Sequence, residues 1–378
     1  MKLLKSVLSI IPGRGAKLLP ALGAWIFALG ALSCETIYDD QDDCLRGISL
    51  RFVYDYHMMR GANAFPEYVD CITVYVFDKE GNFVTQQSET TDVLRDENYR
   101  MILQLEPGDY DLVAYGGITC PANRFDLTPD FADNQEANRT DLTVTLPVSN
   151  QPLNASDVQL HDIENRKGGL FYGTLAVTMP SEYHKGGYME ETVSMMNDTN
   201  NIQVILQELN RPYQVNYEDY TFRILDDNFV LDYNNDVVET PDGVSVPHYR
   251  PYHAENRISG YYEPVLTPGV QLEPDEEQLV QVACAEFSTS RLVMKHYTTS
   301  RLVITHNASG RDVVSLPLIE YLTMIRGWGD SWIKSDQEFL DRQHRWTLMF
   351  FLQEGYWWNA IISINAWTVR VNNIDDLN

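Results

Sequence analysis

The stretch Ile48-Ser49-Leu50-Arg51-Phe52-Val53-Tyr54 decides the fold class, because apolar residues recur in it at every second position. Side chains of a β-strand point alternately to opposite faces of the sheet, so this period of two predicts a strand with one buried face. The chain has 378 residues, of which 44% are hydrophobic, and can therefore bury a sizeable core around such strands.

Ten further strands are predicted from short apolar segments that turn residues separate. The turn Glu106-Pro107-Gly108-Asp109 is typical of these connections, because proline sets φ and glycine supplies the permissive position. Many short strands punctuated by turns predict β-sandwiches rather than helical layers. The segments are 71–77, 99–105, 110–115, 142–146, 170–177, 202–206, 220–225, 283–289, 301–306 and 311–316.

The sequence also predicts one short helix and a junction between two domains. Ser335 followed by Glu338 has the spacing of a capping box, in which the serine begins a helix. Residues 180–200 are polar and rich in turn formers, which indicates a junction. We therefore expect one β-sandwich domain over residues 47–190 and a second over residues 191–378.

The N-terminus has the pattern of a lipoprotein signal. A basic, acid-free stretch precedes an apolar run that ends at Ser33, which predicts a signal peptide over residues 1–33. Cys34 follows the predicted cut and resembles the lipid-bearing cysteine of a bacterial lipobox, which would attach acyl chains such as palmitate. Ala31 and Leu32 depart from the usual lipobox order, so a plain signal peptide or a single anchor helix remains the alternative.

An acidic segment, predicted to be a solvated tether over residues 34–46, follows Cys34. Four clustered carboxylates can neither bury themselves nor pair locally, so the segment should stay extended. It also resembles the acidic export signal of surface lipoproteins in Bacteroidetes-type bacteria, which predicts the outer leaflet of the outer membrane as its location. The acids concerned are Asp39, Asp40, Asp42 and Asp43.

The charge balance excludes nucleic acid as a partner. The chain has 28 basic and 54 acidic residues, for a net charge of −26. Removal of the signal, with its four basic and no acidic residues, leaves 24 basic against 54 acidic residues, a net charge of −30. Phosphate binding requires clustered lysine and arginine, which this balance does not favour.

Four cysteines other than Cys34 are candidates for disulfides, because an exported chain passes through an oxidising compartment. They allow three complete pairings, and three of them lie in or just before the first predicted domain, which favours one bridge within that domain and a spare thiol. No pair has the spacing of a zinc site, so no metal centre is expected. The candidates are Cys44, Cys71, Cys120 and Cys284.

No enzymatic motif occurs in the predicted mature chain: nucleophile elbow, zinc-protease and phosphate-loop patterns are all missing from the sequence. We therefore expect no catalytic residues and no cofactor. An alternative function is glycan binding by a surface lipoprotein, because aromatic side chains near the C-terminus could stack on sugars. These aromatic residues are Trp346, Tyr356, Trp357, Trp358 and Trp367.

The most family-specific segment is Gln337-Glu338-Phe339-Leu340-Asp341-Arg342, which resembles the corresponding element of the FimB-like fimbrial anchors of Bacteroidales. Segments 49–56, 74–78, 107–110 and 170–173 agree with the same family in the same order. This resemblance implies two tandem transthyretin-like β-sandwich domains, an all-β fold, and a lipoprotein that fixes a type V pilus to the outer membrane. Fimbrial subunits are the partners that it implies.

The resemblance also implies how the subunits of such pili join. A protease cuts a subunit after an arginine, and the subunit loses its N-terminal strand. The vacated groove then accepts a C-terminal strand from a neighbouring subunit. The physics is β-strand addition, in which main-chain hydrogen bonds supply affinity. Cleavage at Arg46 would sever an anchor from its lipid, so we expect an anchor to keep its first strand.

The C-terminal segment is a candidate donor strand, with an ordinary last strand of the second domain as the alternative. Its apolar positions change parity near Ala366, which predicts a bulge or a change of packing partner there. The candidate residues are Ile362, Ile364, Ala366, Trp367, Val369 and Val371.

Overall fold

The computed structural model describes most of the chain from Gly47 onward, and of residues 259 and 356–372 it describes the backbone alone. The predicted signal peptide and acidic tether, with Cys34, Cys44 and Arg46, lie outside the described residues. The described residues are 47–59, 61–118, 120, 125–131, 133–134, 136–146, 169–181, 188–209, 214–244, 248–259, 280–326, 332–364 and 367–372.

Strands dominate the first half of the chain, as the alternating pattern predicts. They are β1 (Ile48–Val53), β2 (Ile72–Asp78), β3 (Phe83–Glu89), β4 (Met101–Leu103), β5 (Gly108–Gly116), β6 (Asp126–Thr128), β7 (Thr143–Thr145), β8 (Phe171–Met179), β9 (Met189–Ser194) and β10 (Met196–Asn197). Sheet A has the order β4-β1-β9 and sheet B has the order β10-β8-β5-β2-β3.

The second half is also built of strands. They are β11 (Asn200–Glu208), β12 (Tyr220–Leu225), β13 (Val230–Asp232), β14 (Val237–Val238), β15 (His248–Tyr249), β16 (His253–Ser259), β17 (Val280–Thr289), β18 (Arg301–His306), β19 (Arg311–Pro317), β20 (Arg345–Gln353), β21 (Tyr356–Ile364) and β22 (Trp367–Asn372). Sheet C has the order β16-β17-β11-β20-β21-β22, sheet D the order β15-β12-β18-β19, and sheet E the order β14-β13-β7-β6. The predicted all-β sandwich fold class is confirmed.

Within the described residues, three short α-helices accompany the sheets: α1 (Phe65–Tyr68), α2 (Leu318–Thr323) and α3 (Asp336–Arg342). The predicted start of α3 is confirmed, because the Ser335 hydroxyl accepts a hydrogen bond from the Glu338 N–H at 3.1 Å. The other half of the predicted capping box differs, since the Glu338 carboxylate accepts from the Lys334 N–H at 2.8 Å. Both contacts still satisfy donors at the beginning of the helix.

Strand β2 shows why the run 71–77 is apolar at every position but Thr73 rather than alternating. Val74 and Val76 belong to the hydrophobic cluster between sheets A and B. Tyr75 and Phe77 belong to a second cluster, which includes Val144 of sheet E and continues into sheets C and D. Because both faces of the strand are buried, neither face needs polar side chains.

Sheet E contains strands from both predicted domains. Residues 143–145 of β7 pair with residues 230–232 of β13, in antiparallel register. The number of domains is therefore not confirmed, and the boundary near residue 190 stays a prediction.

The second half of the segment 180–200, where the sequence places a domain junction, forms strands and a buried connection in the structure. Strand β9 runs there and pairs in parallel with the whole of β1. The four polar residues 197–200, from the end of β10 to the start of β11, are almost fully buried rather than solvated. Side-chain hydrogen bonds compensate their burial: Asp198 Oδ1 accepts from Asn235 Nδ2 at 2.8 Å, and Asn200 Oδ1 accepts from Trp346 Nε1 at 2.9 Å.

Candidate functional site: the two terminal strands

The first strand of the described chain lies in the middle of its sheet. β1 pairs with β9 along its entire length and with β4 over Ile48, Ser49 and Leu50. The side chains of Ile48 and Leu50 are completely buried in the cluster between sheets A and B. The chain itself therefore fills the position that β1 occupies, and main-chain pairing is used on both of its sides.

Gly47 fixes the entry into β1. Its φ is +136°, a conformation that favours glycine, and a Cβ there would lie 2.1 Å from the Leu103 carbonyl oxygen. Its own carbonyl accepts a hydrogen bond from the Met189 N–H at 3.1 Å. These contacts hold the backbone of Gly47, the residue that directly follows Arg46, in place.

Two residues that follow β1, Tyr54 and Tyr56, contact Arg342 and His344 in the second half of the chain. We call these four residues the tyrosine clamp. The Tyr54 hydroxyl lies 3.4 Å from His344 Nδ1. The Arg342 guanidinium carbon lies 3.9 Å from the centre of the Tyr56 ring, a cation–π distance. Because β20 begins at the next residue, Arg345, the clamp joins the end of β1 to a strand of sheet C.

His344 is held neutral within this clamp. Its burial lowers its pKa to about 4, and the nearby Arg345 guanidinium and His57 act in the same direction. The Tyr68 ring meets the imidazole edge-on, with ring centres 5.7 Å apart. A neutral imidazole can pack against these rings without a desolvated charge.

Contacts in this region explain the residue types of the family-specific segment 337–342. Phe339 and Leu340 are buried in the larger hydrophobic cluster. Asp341 binds the Arg291 guanidinium with both oxygens, at 2.9 and 3.0 Å. Arg342 stacks on Tyr56 while its Nε donates to Glu338 at 2.8 Å. Each of these side chains therefore has a packing or pairing role, and none is presented as a catalytic group.

The last described strand, β22, has fewer paired neighbours than β1. β21 pairs with β20 on one side and with β22 on the other. Among the described residues, β22 pairs with β21 alone and is the edge of sheet C. No other described strand pairs with its outer main-chain N–H and C=O groups, so they could pair with a further strand.

The candidate donor residues lie on two antiparallel strands rather than on one. Ile364 pairs with Trp367, Ile362 with Val369, and Ala360 with Val371. A reversal of the chain between Ile364 and Trp367 accounts for the change of apolar parity, so the predicted bulge is not needed. Ala366 lies outside the described residues, and use of this segment as a donor stays a prediction.

The cysteines divide into a bonded pair and a free thiol. Cys71 and Cys120 form a disulfide with Cα atoms 5.3 Å apart. Cys284, a candidate for a disulfide, is instead free and buried in β17. Asp70 lies within reach of both bonded sulfurs, but sulfurs joined to each other are not thiolate ligands.

Two other groups of residues from the sequence have structural roles. Trp346 is buried and hydrogen-bonded, so it is not available to a sugar. Side chains of the other C-terminal aromatic residues lie outside the described part of the chain. Asp226, which could be taken for half of a catalytic acid pair, lies 2.6 Å from His296 Nδ1 in a buried contact.

The tyrosine clamp is the part of this site that sequence reasoning missed. A tyrosine before a loop and an arginine at a helix end carry no spacing signal that relates them across almost three hundred residues. One indication was available: Tyr54 and Arg342 both fall within the segments that match the fimbrial-anchor family.

Comparison with known proteins relates the whole chain to fimbrial proteins. The model of the family described as fimbrillin-A associated anchor proteins Mfa1 and Mfa2 matches residues 41–373. A proposed adhesin of Bacteroides thetaiotaomicron VPI-5482 is 36% identical, with a TM-score of 0.69 over 87% of this chain and 99% of that chain. A proposed polysaccharide-binding protein of the same organism is 27% identical, with a TM-score of 0.63 over 87% and 99%.

A third solved structure shares the fold at low identity. The fimbrial anchor protein Mfa2 of Porphyromonas gingivalis is 16% identical, with a TM-score of 0.57 over 86% of this chain and 99% of that chain. No curated protein matches the chain. Among the described residues, no helix has both the length and the apolar character needed to cross a bilayer.

Proposed function

The chain belongs to the family of fimbrillin-A associated anchor proteins, and from this premise we propose that it joins a pilus to the cell surface. In this proposal the protein is not an enzyme. A lipid on Cys34 holds its N-terminus in the outer membrane, and its C-terminal strand pairs with a fimbrial subunit. The residues Asp39, Asp40, Asp42 and Asp43 would serve as the export signal and the tether.

The observation that supports this proposal is the unequal pairing of the two terminal strands. β1 is paired on both sides, whereas β22 is paired on one. A chain with a filled N-terminal position and a free C-terminal edge can add a strand to a partner, but it has no vacant place for a partner's strand at β1. Such a chain would end a series of subunits, as an anchor must.

Attachment through Cys34 requires that the chain stay intact at Arg46. Since Gly47 is packed against β4, a cut after Arg46 would leave the folded part unchanged and release it from the lipid. The intact mass of protein extracted from membranes tests this directly. We expect a mass that includes the acyl chains and residues 34–378, and Cys34→Ala should move the protein to the soluble fraction. A mass that begins at Gly47 would contradict attachment by this route.

The pairing of β22 suggests a variant that separates main-chain from side-chain effects. Only two residues connect the paired Ile364 and Trp367, so these residues form the hydrogen-bonded pair beside the connection. By alternation the N–H groups of Thr368 and Arg370 then face away from β21. Arg370→Pro removes an outward donor, whereas Arg370→Ala keeps it and removes only the side chain.

We expect fimbrial subunits to copurify with the wild-type protein and with Arg370→Ala, but not with Arg370→Pro or a chain that ends at Ile364. Val84→Pro is the matched control, because it alters the free edge β3 of sheet B. Equal recovery of subunits with all four altered chains would refute strand addition at β22.

A further inference from the structure

The outer face of sheet D presents arginine side chains in neighbouring rows. Register places Arg223 beside Val303 and Leu225 beside Arg301, on adjacent antiparallel strands. The alternate residues Phe222, Ile224 and Leu302 are in the core, so the arginines are on the opposite face. His248 of β15 lies opposite Leu225 and extends the same face. We call Arg223, Arg250, Arg301 and His248 the arginine face.

These arginines differ from most others in this acidic chain. Carboxylates pair with Arg95, Arg139, Arg257, Arg291, Arg326 and Arg342. Within the described residues, Arg223, Arg250 and Arg301 have no carboxylate partner, although acidic residues outnumber basic ones by 54 to 28. These three guanidiniums without a carboxylate partner share one face of one sheet, where the carboxylates of a ligand could bind them.

The polar contacts of the face leave most guanidinium donors unused. Arg223 donates to the Thr305 hydroxyl at 3.0 Å, while its buried Nε has no partner among the described residues. Arg301 donates to the Ser315 hydroxyl at 2.8 Å. A guanidinium has five N–H donors, so both side chains keep several for a ligand. The one acid in register with this face, Asp312, accepts a hydrogen bond from the Thr305 hydroxyl.

The positive charge of the face affects its histidine. The pKa of His248 is lowered from its ordinary value by burial, and then by the charges of Arg250 and Arg223. These two guanidiniums are therefore close enough to His248 to act on it. The three arginines form one positive region rather than three separate side chains.

The surroundings of the arginines favour a sugar acid over an isolated anion. Hydroxyl groups of Thr305 and Ser315 lie beside the guanidiniums, and the partly exposed aliphatic side chain of Leu225 lies on the same face. A uronic acid has a carboxylate for the guanidiniums, hydroxyls for the polar groups and a C–H face for the aliphatic side chain. A peptide carboxylate would use the first of these three features alone.

We propose that the arginine face binds the carboxylates of an acidic polysaccharide, a uronic-acid chain, by bidentate contacts from Arg223 and Arg301. This surface is separate from the two terminal strands and from the C-terminal aromatic residues, and it does not depend on the pilus role. The large net negative charge of the protein repels a long polyanion, so a short stretch of uronic acids should be the unit recognised.

Calorimetric titration with tetragalacturonic acid tests the proposal. The methyl ester of the same oligomer removes the charge, and a tetraglutamate peptide offers carboxylates without sugar. We expect the wild-type protein to bind the acid but neither the ester nor the peptide. The double variant Arg223→Gln with Arg301→Gln should bind the acid at least tenfold more weakly. High salt should weaken the binding of the acid further. Arg250→Gln, at an exposed position, should lose several-fold even if the double variant does not fold.

Arg100→Gln is the matched control, since Arg100 is exposed on another part of the molecule and donates only to main-chain carbonyls. It should bind like the wild type. Equal binding of the ester, full affinity in Arg250→Gln, or no binding of the acid at all would overturn the proposal. Equal or tighter binding of tetraglutamate would show that acidic polypeptide, and not polysaccharide, is the ligand.

Discussion

The strands β1 and β22 stand at the two ends of the described chain and have the same length of six residues, but they differ in how many sides of their backbones are paired. β1 is flanked by β4 and β9, and its entry is closed by Gly47. β22 has a single neighbour. Removing β1 would open a hydrophobic cluster, whereas releasing β22 would break one row of main-chain hydrogen bonds.

This difference indicates that how firmly a strand is held in its sheet depends on its neighbours rather than on strand propensity. Both segments are apolar and rich in β-branched residues, so propensity alone gives them equal preference for a sheet. What separates them is the number of paired sides and the contacts at their ends, above all the tyrosine clamp. The predictions below test these two features in turn.

The largest expected effect comes from the core of β1. Leu50→Ala removes a fully buried side chain from the cluster between sheets A and B, and should lower the free energy of unfolding by about 3 kcal/mol. A chain that ends at Ile364 lacks β22 and its single row of main-chain pairing. Its free energy of unfolding should fall by less than half of that amount. Urea unfolding of the two proteins measures both values. A greater loss from the truncation would reverse the comparison.

The strand pattern was largely predictable because alternation follows from burial of one face. The run 48–54 predicts β1, and segments 220–225 and 301–306 coincide with β12 and β18. β2 was also found from its apolar run, although the sequence alone could not reveal that sheet E covers its second face.

The burial of the polar residues 197–200 has a physical explanation. Residues 197–200 are polar, and polarity in a short segment normally indicates solvent. Here Asn235 and Trp346 supply the hydrogen bonds that make burial tolerable. Both partners are distant in sequence, so no local pattern reports them.

The terminal strands were predictable to different degrees for a related reason. The apolar parity of residues 360–371 was correctly seen to change, but one strand with a bulge and two paired strands give the same parity. The choice between them depends on which residues pair, and that is set by the edge of sheet C. The clamp was not predictable, because nothing in either local segment identifies its partner.

The next effect concerns the clamp and pH. His344 is neutral in the folded protein, with its pKa lowered to about 4 by burial, while in the unfolded chain it titrates near its ordinary value of about 6.5. Its contribution to stability is therefore complete above about pH 6.5 and is lost as the pH falls to about 4. His344→Phe keeps an aromatic ring but cannot titrate.

We expect the wild type to lose about 2–3 kcal/mol more than His344→Phe between pH 7 and pH 4. Urea unfolding at the two pH values measures the difference, and His306→Phe, on the less buried end of β18, is the control that should behave like the wild type. Parallel curves for the wild type and His344→Phe would show that this histidine does not couple the clamp to pH.

The smallest effect isolates the contact between Arg342 and Tyr56. Arg342→Ala removes the guanidinium 3.9 Å from the Tyr56 ring and its ion pair with Glu338, and should cost about 1–2 kcal/mol of stability. Arg95→Ala removes an exposed ion pair with Asp92 and should cost less than about 0.5 kcal/mol.

The position of the damage distinguishes a clamp from ordinary packing. If Arg342 holds the end of β1, Arg342→Ala should speed proteolysis within residues 55–64, whereas Arg95→Ala should not. Arg342→Lys sharpens the test, because lysine keeps the charge near Glu338 but lacks the planar group that stacks on Tyr56. If Arg342→Lys is cleaved as fast as Arg342→Ala, stacking on Tyr56 is what retains the end of β1. If it is cleaved at the wild-type rate, the charge is sufficient. Unchanged proteolysis in both variants would mean that β1 is retained by its two neighbouring strands alone.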